Sequence, residues 1–266
     1  MTNTITLTGI NAKLARAETN LGCFYGEWER FLREKPYRFP GQFEAQESAY
    51  VFRAQFLKEP PTMIGVILGE FVHNLRSTLD QLVWQLALLN GIEPSGTQFP
   101  IVSAHKGWPT RRVEGWIKGV SSKHGAIIES FQPYHPGREP LKWLGDLSNV
   151  DKHRVVHPSG IAVKPGVVDP GFRLTANDDA GYGGEIILHH DRLLENGAEV
   201  VCAPCKPVGP APQMYMDGEP AIQPAFGLPQ PLLYRGLDRI QGMVVEIIDA
   251  FRPDFPSSGS NPSIPK

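Results

Sequence analysis

The sequence predicts an α+β fold: a helical bundle core with a β-rich segment inserted before the C-terminal helix. Two observations carry that expectation. Apolar residues recur at three- and four-residue steps in several long stretches, the signature of amphipathic helices. Between Ile161 and Cys205 the pattern changes to short β-like runs set apart by Gly, Asp and Asn. Helix-rich and strand-rich stretches separated in this way define the class. One domain is expected over 1–255, with the helical core at about 10–157 and 232–251, the β-rich insertion at about 158–231, and a disordered tail at 256–266.

The elements follow in order. A first helix spans about Ile10 to Leu32, with Leu14, Ala17, Leu21, Phe24, Trp28 and Phe31 on its apolar stripe, and Pro36 and Pro40 stop it. Phe43 to Leu57 alternates and reads as a strand pair. Pro60 and Pro61 precede a long helix from Thr62 to about Leu89, which the Asn90–Gly91 pair ends. Shorter helical segments carry Trp108, Val113, Trp116 and Ile117, then Ile127, Ile128 and Phe131. A second strong helix starts near Pro140, a suitable first-turn residue, and ends before Pro158. β-like runs lie at Phe172–Leu174, Glu185–Leu188 and Glu199–Val201, and the Pro- and Gly-rich stretch 203–231 reads as an irregular loop. A last helix runs from Leu232 to about Phe251, with Leu233, Ile240, Val244, Ile247 and Phe251 on its buried side.

Composition narrows the functional classes. The chain has 266 residues, 41% hydrophobic and 20% charged, ordinary values for a globular protein. A formal net charge of −2 gives no global basic excess of the kind that announces a nucleic-acid or membrane binder. Cys23, Cys202 and Cys205 are too few and too unevenly placed for a disulfide framework. The opening MTNTITLTGI lacks a basic stretch followed by an apolar one, and no apolar run approaches the ~20 residues of a membrane span. The expectation is a soluble, cytoplasmic protein with no membrane partner and no cofactor.

Charged residues on helix faces that should be apolar point to a candidate site. At about 100° per residue, Phe71, Val72, Leu75, Leu79, Leu82 and Leu86 share one face of the long helix. Glu70, Asn74, Ser77 and Gln81 take the opposite side, with His73, Arg76, Asp80 and Trp84 on the flank. Arg76 and Asp80 are four apart and close enough to pair. The alternative is a plain solvated face, but Asn, Arg, Ser, Asp, Gln and Trp differ from the Lys and Glu of simple exposed surfaces.

On the second strong helix, Leu141, Trp143, Leu144, Leu147, Val150 and Val155 fall on one half, and Asp151 and Arg154 fall inside that half. Lys142, Asp146 and His153 point elsewhere. Charges in an apolar stripe are costly unless partnered. The expectation is a network of Arg76, Asp80, Asp151 and Arg154 between the two helices, with His73 and His157 at its margin. The competing expectation is a helix that ends before Asp151, leaving DKHR as an exposed turn.

The strings GEFVHNLRSTLDQLVWQLA (69–87) and LGDLSNVDKHRVVH (144–157) resemble uncharacterised bacterial proteins in which a motif like HNLRSxLDxL precedes one like LxNxDKHR. That resemblance implies no particular activity. A looser one is to HEPN domains, helical bundles of prokaryotic toxins and RNA-processing systems, marked by an Arg and a following polar residue with a His after four to six intervening residues. Arg76-Ser77 matches the start of that mark, but Gln81 stands at the shortest His spacing, and Val83 and Trp84 carry no imidazole. Gln does not shuttle protons as imidazole does. The resemblance implies Arg76 on a nucleic-acid phosphate, with His73 or His157 as acid or base.

Smaller signals complete the reading. Cys202-Ala-Pro-Cys205 has CxxC spacing, and with His189 and His190 would make a zinc site if the four converged. Gly181-Tyr182-Gly183-Gly184 lacks the following helix and Lys of a phosphate loop and reads as a turn between strands. No GxSxG, HExxH, Walker A or dinucleotide fingerprint is present. Three functions remain. One is a ligand- or partner-binding domain whose helices are held by an Arg/Asp network. Another is a HEPN-like nucleic-acid-binding or ribonuclease-related protein. The last, a small-molecule enzyme, requires a concave pocket beside the network.

Overall fold

In the computed structural model the described residues are 4–153, 158–162, 171–189, 194–218, 220–226 and 235–256. The fold is α+β. The chain gathers into two compact units, one drawn from Met1–Phe24, Val66–Val156 and Arg235–Lys266, the other from Tyr25–Gly65 and His157–Tyr234. Among the described residues no helix is long and apolar enough to cross a membrane.

Helices make the first unit: α1 (Thr8–Arg33, to Phe24), α2 (Thr62–Leu89, from Val66), α3 (Arg111–Trp116), α4 (Ser122–Ser130), α5 (Glu139–Asp151) and α6 (Arg235–Phe251). α2 forms for the reasons its sequence declares. Pro61 immediately precedes it, and at the other end Gly91 adopts the left-handed backbone (φ 73°). There Ile92 N–H donates to Ala87 O and Gly91 N–H to Leu88 O, so two orphan carbonyls are capped. Phe71, Val72, Leu75, Leu79, Leu82, Val83 and Leu86 are all fully buried, the face that the 3.6-residue period selects.

α1 docks along α2 in the antiparallel sense. Thr6 N–H donates to Gln85 Oε1 near one end, and Asn20 Nδ2 donates to Glu70 Oε2 further along, where Arg16 also pairs with Glu70. Part of the polar stripe of α2 therefore faces a neighbouring helix rather than a ligand. α5 packs on α6 through Leu141, Leu144 and Leu147, which are fully buried, as are Ile240, Val244, Ile247 and Phe251 of α6.

The second unit holds the strands β1 (Tyr37–Arg38), β2 (Gly41–Glu44), β3 (Ala49–Arg53), β4 (Gln55–Phe56), β5 (Pro158–Ala162), β6 (Phe172–Ala176), β7 (Ala180–Tyr182), β8 (Ile187–Leu188), β9 (Glu199–Pro207), β10 (Met214–Gly218) and β11 (Ile222–Phe226). β9 is the spine of its five-stranded antiparallel sheet. It pairs with β3, with Ala49 opposite Pro204 and Phe52 opposite Val201, and also with β7 and β8, while β2 adds beyond β3. Separate antiparallel ladders join β1 to β4, β5 to β11 and β6 to β10.

β9 thus takes the hairpin β2–β3 as its neighbour. One expectation is corrected here. The described residues of 203–231 are not an irregular loop: β9 continues to Pro207, and β10 and β11 follow. Prolines within these strands hid them from sequence reading. A strand tolerates Pro where the missing N–H is not required by a ladder, and Pro204 still contributes its carbonyl, which accepts from Gly183 N–H. The terminal stretch 257–266 lies outside the described residues.

The packing of α2 sets a simple expectation. Leu79→Ala, in the fully buried stripe, should lower unfolding free energy by about 2–5 kcal/mol. His73→Ala, on the exposed side, should change it by no more than about 0.5 kcal/mol. Urea denaturation of both variants checks this; equal losses would contradict the helix orientation.

Candidate functional site

The site begins with a backbone strip rather than with a side chain. The extended segment 98–102 lies across the helical unit, and its polar groups need partners because Phe99 and Pro100 are buried. Arg76 and Asp80, one turn apart on α2, supply them. Phe99 N–H donates to Asp80 Oδ1 at 2.8 Å, and Arg76 Nη2 donates to Phe99 O at 2.6 Å. The two side chains also pair with each other, Nη2 to Oδ1 at 3.1 Å, which closes a ring of charge-assisted contacts around one residue's backbone.

The strip is held from its other side by Gln132, which is completely buried just beyond α4. Its Nε2 donates to Pro100 O and Ile128 O, and its Oε1 accepts from Val102 N–H. Gln98 N–H donates to Trp116 O of α3 at 3.0 Å. Each residue from 98 to 102 except Ile101 is thus tied by a backbone hydrogen bond to a helix or its flank.

Arg76 has one more feature. Its side chain is only 15% exposed, and its Nη1 is buried with no hydrogen-bond partner among the described residues. Burial pulls the guanidinium below its ordinary pKa, and Asp80 partly restores it. Arginine nonetheless keeps its charge in proteins. A buried charged donor without an acceptor is costly and calls for an explanation.

Arg76 also stands in the wall of a cavity of about 340 Å³ in the helical unit. Three further cations line it: Arg112 of α3, and Lys142 and Lys152 of α5 and its cap. Asp146 is the one acidic residue in the described lining, and Lys142 is paired with it. Lys142, Gly145, Asp146, Asn149 and Lys152 recur at three- and four-residue steps, so they form one stripe of α5. Arg112 stacks on the Trp116 ring at 4.6 Å. In a chain of formal net charge −2, this is a local concentration of positive charge.

Of the residues expected in a polar network, Arg76 and Asp80 are brought together. Asp151 is not joined to them. It is the last residue of α5, half-buried, and its carboxylate lies on α2 against Gly69, where an added Cβ would stand 2.3 Å from Oδ1. Gly69 is nearly two turns from Arg76, and Asp151 forms no ion pair among the described residues. The competing expectation also fails in part: the helix includes Asp151, and of the described residues that directly follow it Lys152 and His153 are exposed. His73 is exposed and does not line the cavity. Arg154 and His157 lie outside the described residues.

Strand geometry speaks against the zinc alternative. Cys202 and Cys205 both sit in β9, three residues apart, and so point to opposite faces of the sheet. Burial is the main cause raising both thiols above their ordinary pKa, the opposite of a reactive pair. His189 hydrogen-bonds Glu199 Oε1 through Nε2 at 3.0 Å, and His190 lies outside the described residues. Among the described residues no three His, Cys, Asp or Glu side chains converge as metal ligands.

Sequence reasoning missed Gln98, Arg112, Gln132 and the Lys142–Lys152 stripe. One signal was present: the polar residues of α5 are regularly spaced and of mixed type, but they were read as pointing away. In comparisons with protein-family models, curated proteins and solved structures, nothing matches this chain.

The clamp on Phe99 gives a graded expectation. Asp80→Ala leaves Phe99 N–H without its acceptor and should cost about 1–3 kcal/mol of stability. Asp80→Asn retains an oxygen acceptor and should cost less. Chemical denaturation of the two variants decides; an Asn variant as unstable as the Ala variant would argue against the clamp.

Proposed function

We propose that the helical unit is a binding module for a small anionic ligand, received in the cavity beside Arg76. The observation that carries this reading is the gathering of Arg76, Arg112, Lys142 and Lys152 in the wall of one cavity. An anion there offsets their charge and accepts hydrogen bonds from the cations it can reach. The strip at Phe99–Val102, tied on both sides, supports the reading because a fixed wall spares a ligand the cost of ordering it.

Binding is the proposed activity because the wall is dominated by cations and by amide and hydroxyl groups suited to holding an anion; His73 does not line it. Within this proposal the Arg76–Asp80 pair holds the wall through Phe99, and Arg76 adds its charge to the site.

A ligand that binds only the folded state stabilises it by mass action, by about 2.7 kcal/mol at a hundred times Kd. Phosphate should therefore raise Tm above the value in chloride at equal ionic strength. The double variant Arg112→Glu, Lys152→Glu, which leaves the clamp intact, should lose that difference. Thermal unfolding in matched salts measures it; identical Tm values in phosphate, sulfate and chloride for the wild type would overturn the proposal.

A further inference from the structure

We infer that the anion taken by this cavity is a phosphomonoester of a polyhydroxylated small molecule, a sugar phosphate rather than a bare anion or a nucleotide. This rests on the anion-site reading above and adds the chemistry of the rest of the wall. An inorganic anion needs cations and N–H donors alone. Here the four cations share the lining with Gln98, Ser103, Ser148 and Asn149, whose amides and hydroxyls both donate and accept. Asp146, an acceptor only, would repel a bare anion but binds the O–H of a polyol.

Two observations argue against a nucleotide. The one indole in the lining, Trp116, already carries a guanidinium stacked 4.6 Å from its centre, so that ring face is not open to a base. The volume of about 340 Å³ sits at the lower end of the range for ligand pockets, roughly 300–1,000 Å³, a size that fits a single phosphorylated sugar ring.

The residues divide the work. Arg112 and Lys152, beside the charge of Arg76, take the phosphate. Asn149 and Asp146, on the same stripe of α5 as Lys142 and Lys152, read the hydroxyls. Asn149 is exposed, so its replacement by Ala alters the wall without touching the core and improves helix propensity.

Titration calorimetry on the full chain at fixed ionic strength, with inorganic phosphate, glucose, glucose 6-phosphate, AMP and a 5′-phosphorylated oligoribonucleotide, tests the inference. Glucose 6-phosphate should bind about tenfold or more tighter than phosphate, the gain expected from one or two added hydrogen bonds, and glucose alone should bind negligibly. Asn149→Ala should remove most of that gain. If phosphate and glucose 6-phosphate bind equally, the inference fails and the anion site stands. If AMP or the oligoribonucleotide binds tighter than the sugar phosphate, the inference fails in favour of a nucleotide or nucleic-acid ligand. If none of the anions binds, the inference and the anion site fail together.

Discussion

The helical unit depends on how the backbone of Phe99 is satisfied. An extended strip crossing a bundle of helices brings buried amide and carbonyl groups that no strand pairs. Two charged side chains, one turn apart on α2, take both polar groups of one such residue. A buried ion pair is poor evidence of stability in itself, because desolvation offsets much of its attraction. Here the pair also does what a neighbouring strand would do, and Gln132 does the same from the opposite side. Removing either partner would strand the other along with a backbone group.

That constraint connects fold to function. Arg76 is committed through Nη2 to the Phe99 carbonyl, and its Nη1 is buried without an acceptor among the described residues. The strip it holds forms part of the cavity wall, facing the cations of α3 and α5. One arginine therefore sets the wall's position and presents its charge. In a chain slightly acidic overall, four cations gathered on one cavity are a local electrostatic feature that net charge conceals.

Much of the scaffold was legible in the sequence because helices are local. The period of Phe71, Leu75, Leu79 and Leu82, the prolines before Thr62 and the Asn90–Gly91 ending all act within a few residues. The sheet was less so, since β9 pairs with a hairpin some 150 residues earlier and its prolines imitate a loop. The site was legible in halves. Arg76 and Asp80 stood out as charges on the flank of a helix, yet their common target is a backbone, which no sequence pattern marks. Asp151 was sought beside another charge and rests instead on Gly69, where the absence of a side chain makes the room. Arg112 on α3 and the Lys142–Lys152 stripe of α5 are unremarkable when each helix is read alone, and become a site through convergence.

The claim underlying this account is that Phe99 N–H is held by Asp80. Amide hydrogen exchange read at Phe99 by NMR reports on that bond directly. Protection comparable to that of the α2 core amides in the wild type, and its loss in a folded Asp80 variant, is the result this account predicts. Exchange of the Phe99 amide in the wild type at the rate of an unprotected loop would contradict it.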